Sequence, residues 1–216
     1  MQDLIELLQG NPYPGRGIVV GNNRVYYFIM GRSVNSRNRV FKETEDGIRT
    51  EAFDASQMVD PSLIIYHPVR QMGDALVVTN GDQTDTIVEM GDFRAGCMAR
   101  EYEPDAPNFT PRISAIIYPD QSFEISILKH AADSFDGSDH CVREFFAYEG
   151  CDEGTGYFIS TYQSDGNPLP TFAGEPIRVS MPEPEAVWAA LNADNKVSLY
   201  TKVGNEVKLF NKNLGD

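Results

Sequence analysis

The chain has 216 residues, of which 41% are hydrophobic and 11% aromatic, enough for one large domain with a sizeable core and too apolar for global disorder. Its formal net charge of -14 is shared by both halves: residues 1–112 carry 11 basic and 16 acidic groups, residues 113–216 carry 7 and 16. Long-range attraction to DNA, RNA or an anionic membrane is therefore disfavoured.

In chain order, residues 3–9 read as a short amphipathic helix stopped by Gly10 and the Asn11-Pro12-Tyr13-Pro14-Gly15 turn. Two β runs follow, 17–20 and 24–30, joined by Gly21-Asn22-Asn23, whose residues tolerate the positive φ of a hairpin. Further strands are expected at 63–66, 75–79, 113–118, 123–128, 144–148, 157–161, 177–180, 197–202 and 206–210. Helices are expected at 83–90, 93–102 and 184–193, the last with Pro182 and Pro184 at its start and Trp188 at its centre. Strands joined by short connections, with clumped helices, speak for an α+β fold of antiparallel sheets covered by helices. No repeat, low-complexity tract or linker divides the chain, so residues 1–216 are read as a single domain.

Ten of the twelve arginines fall within the first 112 residues, which hold one lysine, Lys42. The tightest cluster, Gly31-Arg32-Ser33-Val34-Asn35-Ser36-Arg37-Asn38-Arg39, opens at the exit of the second strand. Arginine presents a planar fork that grips phosphate or carboxylate in a bidentate way. Three such charges within eight residues repel one another unless an anion or carboxylates answer them, which favours a functional loop over a solvated turn.

Four other polar segments stand out: 11–17, 60–70 ending in Tyr66-His67-Pro68-Val69-Arg70, 78–85 with Asn80-Gly81-Asp82, and 100–112. Asn80-Gly81-Asp82 also suits a turn with a helix N-cap, the stronger reading at that position. Tyr66-His67-Pro68 suits a strand end. The stretch 100–112, with three prolines, three carboxylates and two arginines, serves equally as a rigid surface loop or as a site.

His140-Cys141 and Cys151 lack zinc spacing, the run 133–139 lacks the closing Glu of a calcium loop, and 150–156 is too acidic to cradle phosphate, so no metal and no cofactor is expected. Phosphate-loop, serine-elbow and dinucleotide signatures are missing. No apolar run approaches the roughly 20 residues that span a bilayer. The Met1-Gln2-Asp3 start lacks the basic region of a signal peptide. Three cysteines without framework spacing fit a reducing cytoplasm, where a soluble metabolite is the expected ligand.

Five blocks together resemble the archaeal-type IMP cyclohydrolase family: Tyr-Pro-Gly-Arg-Gly at 13–17, Gly-Arg-Ser-x-x-Ser-Arg-Asn-Arg at 31–39, Asp-Pro-Ser-Leu-Ile-Ile-Tyr-His-Pro-Val-Arg at 60–70, Thr-Asn-Gly-Asp-Gln-Thr-Asp at 79–85 and Arg-Glu-Tyr-Glu-Pro-Asp-Ala-Pro-Asn-Phe-Thr-Pro-Arg-Ile-Ser at 100–114. The resemblance implies a four-layer α-β-β-α sandwich like that of N-terminal nucleophile hydrolases. It also implies closure of 5-formamidoimidazole-4-carboxamide ribotide to inosine monophosphate (IMP) with loss of water, the last step of purine synthesis. No Cys, Ser or Thr opens the chain, so autoprocessing amidase chemistry is not expected.

Such a closure needs a near-attack rotamer, an oxyanion site and proton transfer, all on one purine ribotide. Holding the ribotide rigid supplies at best about 7–11 kcal/mol. Arg37, Asn38 and Arg39 are expected to grip the 5′-phosphate, and Arg32 and Tyr66 to donate to the formyl oxygen. Glu103, or Glu101 beside it, is the expected proton acceptor; Asn80, Asp82, Asn108 and Arg112 would line the base and ribose. Competing readings are a non-catalytic nucleotide-binding homologue, a C–N hydrolase acting on another amide or formamide, and a protein-interaction surface at the arginine loop. Exposed helices on such a sandwich leave homo-oligomerisation open.

Overall fold

The structure, a computed structural model, describes residues 1–61, 64–131 and 139–216. Helix α1 (Leu4–Gly10) is capped by Asp3, whose carboxylate accepts from the Glu6 amide at 3.1 Å. Strands β1 (Arg16–Gly21) and β2 (Arg24–Met30) form the expected hairpin, with Asn23 at φ 54°. After the one-turn helix α2 (Val34–Arg37) come β3 (Arg39–Thr44), β4 (Gly47–Ala52), β5 (Val69–Met72) and β6 (Ala75–Thr79). Helices α3 (Gln83–Met90) and α4 (Phe93–Met98) precede β7 (Arg112–Ile117), β8 (Phe123–Ala131), β9 (His140–Tyr148), β10 (Thr155–Ser160) and β11 (Ile177–Ser180). Helix α5 (Pro184–Ala190) leads into β12 (Lys196–Val203) and β13 (Glu206–Asn211).

The strands build two antiparallel sheets, β11-β10-β1-β2-β12-β13 and β3-β4-β5-β6-β7-β8-β9, so the chain is α+β. Alternation along each strand divides the buried side chains into three apolar clusters. The first joins the sheets, with Ile18, Tyr27 and Ile29 of one meeting Phe41, Val78 and Ile125 of the other. The second sets Val19, Phe28 and Leu199 against Leu4 and Leu8 of α1 and Val187 and Trp188 of α5. The third sets Val77, Ile116 and Leu128 against Ile87, Phe93 and Cys97 of α3 and α4. A polar staple adds to the first: the buried Asn211 amide accepts from the Phe41 N–H at 2.6 Å and donates to the Phe41 carbonyl at 3.3 Å, tying β13 of one sheet to β3 of the other.

Several expectations are corrected. Of the strand expected at 63–66, Leu63 lies outside the described residues, and 64–66 join no ladder. There the Thr50 hydroxyl substitutes for a partner strand, donating to the Ile64 carbonyl at 2.6 Å and accepting from the Tyr66 N–H at 2.9 Å. Helix α4 stops at Met98, four residues early, and Arg100 turns its side chain back to Asp82 and Thr86. Helix α5 stops at Ala190 because the Asn192 side chain captures the amides of Asp194 and Asn195 in a turn. Strands β3, β4 and β5 were not expected at all: the apolar residues of β3 and β4 are interrupted by Lys42, Glu43, Arg49 and Glu51, and only four residues, Val69–Met72, form β5. Such charges suit β3, an edge strand. The run 133–139 lies outside the described residues apart from Asp139.

Candidate active site

A cleft of about 350 Å³ opens where five segments converge: Tyr13 and Arg16 at the start of β1, the turn and helix from Arg32 to Ser36, Asp60 and Ile64, the loop from Glu103 to Thr110, and Tyr162 and Leu169 beyond β10. Local geometry explains the convergence. Gly15 has φ 74° and packs on Thr161 and Tyr162, where a side chain would collide, so β1 can begin with Arg16 beside β10. Ser33 and Ser36 cap each other's amides at 3.0 Å, forming α2, and Gly31 lies so near Ser36 that a Cβ would stand 2.6 Å from its Oγ.

Two guanidinium groups lie close together here: Arg16, largely buried and one of the lining residues, and Arg39, fully buried and not one of them. Arg16 Nη2 is 3.7 Å from Glu103 Oε2, and its Nε finds no hydrogen-bond partner among the described residues. Arg39, 1% exposed, donates from Nε to the Ser36 carbonyl at 2.8 Å, while its Nη1 is likewise without a partner there. The side chains that act on Arg39 most strongly are Tyr66, Arg16, Tyr27 and Tyr13, none of them a carboxylate. Burial, followed by Arg16, lowers the Arg39 pKa; burial also opposes the charge on Arg16, but Glu103 and the surrounding tyrosines hold that pKa well above its usual value. Burial raises the Glu103 carboxyl above the ordinary glutamate range in spite of Arg16 and Arg112. Unpaired buried N–H groups cost on the order of 1–3 kcal/mol each, more when charged.

At the mouth, Arg32 is held from three sides. Its Cζ stands 4.8 Å above the Tyr13 ring, and Nη1 donates to Asp165 Oδ1 at 2.5 Å and to the Gly166 carbonyl at 3.0 Å. Asn108 accepts from the Leu169 N–H at 3.2 Å. On one wall the Tyr162 hydroxyl lies 2.5 Å from Thr110 Oγ1, which donates to Asp105 Oδ2 at 2.5 Å.

Of the residues singled out in the sequence, Arg32, Glu103 and Asn108 line this cleft, and Arg39 and Tyr66 lie among the groups around Arg16. Tyr66 is buried with its hydroxyl 2.7 Å from that of Tyr27. The others are not among the cleft residues and have structural partners. Arg37 donates to the Gly31 carbonyl and to Asn195, and Asn38 pairs with the Asp54 backbone in both directions. Asn80 binds the Pro111 carbonyl and the Ile113 amide. Asp82, at the start of α3, makes no cap bond and instead joins Arg100 at 2.5 Å and Arg112 at 2.8 Å. Arg112 also donates to Gln83 and to the Glu101 carbonyl, while the exposed Glu101 side chain reaches Arg143 at 3.8 Å.

Arg16, Tyr13, Thr110 and Tyr162 have no role in the sequence reading, which leaves open whether Glu101, Glu103 or Asp105 is the acid or base; Glu103 and Asp105 line the cleft and Glu101 does not. Arg16 had a signal, since it follows the Tyr-Pro-Gly turn that drives it into the first strand. Tyr162 had none, because its partner Thr110 is 52 residues away. A larger cleft of about 670 Å³ lies under α1, lined by Asp3, Glu6, Phe158 and Phe172 among others. It contains no arginine or lysine and so offers an anionic ligand nothing. Among the described residues no group of three His, Cys, Asp or Glu side chains is placed to hold a metal ion, and the three cysteines are unpaired. No helix among them is long and apolar enough to cross a membrane.

Comparison with known proteins agrees with the five blocks. A protein named IMP cyclohydrolase from Methanococcus aeolicus is 27% identical over 164 residues, covering 70% of this chain and 74% of its own length. Proteins of the same name from Methanocella arvoryzae and Haloquadratum walsbyi are 32% and 29% identical, each over 49% of this chain and over 57% and 56% of their own lengths. The sequence model of the family described as IMP cyclohydrolase-like protein matches residues 13–208, from Tyr13 at the cleft to β13, and the chain belongs to that family.

Proposed function

We propose that the cleft is the active site of an IMP cyclohydrolase, closing 5-formamidoimidazole-4-carboxamide ribotide to inosine monophosphate with loss of water. The observation that carries this reading is a buried carboxyl with a raised pKa beside two guanidinium groups that keep unpartnered N–H bonds. Closure needs these two things, a base stronger than an ordinary carboxylate and fixed positive charge where negative charge develops.

The carboxamide nitrogen attacks the formyl carbon while Glu103 accepts its proton. The Arg16 guanidinium, which lines the cleft, stabilises the oxygen as charge grows, and Arg39 adds positive potential from beside it. A preorganised donor of this kind is worth about 10²–10³ in kcat. Arg32, at the mouth with Ser33 and Ser36 beside it, grips the 5′-phosphate. The burial pattern thus exchanges the roles expected for Arg32 and Arg39: the buried group serves the reacting centre and the exposed one the phosphate. Asn108 contacts the ribose. No cofactor enters, since both reacting groups lie on one substrate.

The three apolar clusters support a four-layer α-β-β-α order, with α1 and α5 outside one sheet and α3 and α4 outside the other, as in N-terminal nucleophile hydrolases. The shared core between the sheets supports a single domain over 1–216. A purine ribotide in the cytoplasm is the partner this reading requires, with no nucleic acid or membrane. The test is a spectroscopic assay of purified protein with the formamido ribotide: IMP forms in the wild type, and Glu103→Gln abolishes it. A protein that binds IMP but leaves the ribotide untouched is a nucleotide-binding homologue instead.

A further inference from the structure

Ring closure moves two protons. One leaves the carboxamide nitrogen, one leaves the formamido nitrogen, and both end on the departing oxygen as water. Glu103 can take both in turn only by serving two nitrogens from one position; a second acceptor elsewhere on the cleft lets each nitrogen meet its own. The cleft wall opposite the arginine turn carries three hydroxyl and carboxyl groups in line: Tyr162, Thr110 and Asp105, all of them cleft residues.

The hydrogen positions in this line follow from valence. Asp105 accepts from the Thr110 amide at 2.6 Å through Oδ1 and from Thr110 Oγ1 at 2.5 Å through Oδ2. A threonine hydroxyl has one hydrogen, and here it goes to the carboxylate. Thr110 Oγ1 therefore accepts from the Tyr162 hydroxyl, 2.5 Å away. The Tyr162 hydrogen is committed to Thr110, and the remaining lone pair of its oxygen is left to accept. Every hydrogen in the chain is aimed toward Asp105. Tyr162 is itself fixed by stacking on Tyr13, with ring centroids 6.0 Å apart and 17° between planes, and by near-complete burial. Burial pushes its phenol up to about 12 in spite of Arg16, so it acts as a neutral hydroxyl.

We infer that Tyr162 is a catalytic residue of this cleft, acting with Thr110 and Asp105 as a second proton acceptor separate from Glu103. The inference rests on the cyclohydrolase reading above. The Tyr162 oxygen takes the proton of a substrate N–H, the Tyr162 hydrogen passes to Thr110 Oγ1, and the Thr110 hydrogen passes to Asp105 Oδ2. Glu103 passes the first proton to the oxyanion, making the carbinolamine hydroxyl. The reverse shift of the relay gives the second proton to that hydroxyl, which departs as water with Glu103 and the three relay side chains restored. No electrons are exchanged with any outside group. Glu103 serves the first nitrogen, and the relay serves the second.

The experiment compares the full-length wild type with Tyr162→Phe, Thr110→Val, Asp105→Asn and the Tyr162→Phe/Thr110→Val double variant, using the formamido ribotide. The first two remove a hydroxyl while keeping shape, and the third keeps an acceptor that cannot hold the proton. Each single variant is expected to lose about 100-fold in kcat, the usual reach of a general base, with KM and the Kd for IMP unchanged. The double variant falls no further than the worse single one, because one broken link stops the relay. In mixtures of light and heavy water, the wild-type rate curves with deuterium fraction, and the Tyr162→Phe rate is linear. Wild-type kcat in Tyr162→Phe, or losses that multiply in the double variant, overturn the relay. A loss of IMP binding that matches the loss of rate also overturns it, since Tyr162 would then only shape the cleft. A wild type that makes no IMP removes the cyclohydrolase reading and the relay together; a wild type that does, with variants that match it, removes the relay alone.

Discussion

Two groups of arginines lie on either side of the Glu103 segment, and they differ in what answers their charge. Arg112 and Arg100 converge on Asp82 at 2.8 and 2.5 Å, and Arg112 spends further donors on Gln83 and the Glu101 carbonyl. Arg16 and Arg39 are as deeply buried, yet one has only a 3.7 Å approach to Glu103 and the other no carboxylate among its strongest interactions. The first group is a completed network that holds the 100–112 loop to α3. The second leaves Arg16 Nε and Arg39 Nη1 without a partner among the described residues, and the proposed function gives that pair to the substrate. An arginine's burial therefore says little about its role; the tally of its five donors says more.

The comparison can be broken from either side. The largest effect is expected at Glu103→Gln, with kcat for the ribotide falling by about 10²–10⁴ while IMP still binds. A surviving kcat would return the base to another carboxylate. Next, Arg39→Met should cost about 10²-fold in kcat while changing unfolding free energy by no more than about 1 kcal/mol, because an unmatched buried charge is exchanged for an apolar chain. Arg112→Met should do the reverse, lowering stability by about 3 kcal/mol by stranding Asp82, Gln83 and the Glu101 carbonyl. Urea melts of the two variants that coincide would erase the distinction between the groups.

A pH series sharpens it. The folded Glu103 pKa is raised above its unfolded value, so its contribution to stability is complete below the ordinary glutamate range and is lost as pH rises through the raised value. Urea midpoints of the wild type should decline over that window relative to Glu103→Gln, and the acid limb of kcat/KM should lie above the ordinary glutamate range. A limb at the ordinary value would mean that Glu103 is not the titrating base. The smallest effect is expected at Glu101→Gln. Its exposed carboxylate meets Arg143 only at 3.8 Å, so stability should move by less than about 0.5 kcal/mol and kcat not at all.

Much of the scaffold was legible in the residues. The β1–β2 hairpin announces itself through Gly21-Asn22-Asn23, and α3 runs from Gln83 to Met90 as its pattern predicts. Strands β3 and β4 are hidden because charge breaks their alternation, which suits β3 at the sheet edge, and β5 because only four residues, Val69–Met72, form it. In the candidate site, residue type pointed to Arg32, Glu103 and Asn108, all of which line the cleft. It also pointed to Arg37, Asn38, Asn80, Asp82 and Arg112, whose hydrogen bonds are taken up by the fold itself. Arg32 and Asn108 have partners too; what separates the two sets is which of them line the cleft, and sequence spacing does not record that. Tyr162 was invisible for a different reason: its meaning comes from Thr110, across two sheets of chain.

The Asn211 staple has a consequence for how the protein is made. Its bonds to the Phe41 backbone join residues 170 positions apart, and Asn213 adds bonds to the Arg37 and Arg39 carbonyls. On the ribosome β3 can pair with β4 as soon as both have emerged, but its bonds to Asn211 and Asn213 wait until almost the whole of the 216 residues has been made, so the two sheets are tied together here by one of the last segments to appear.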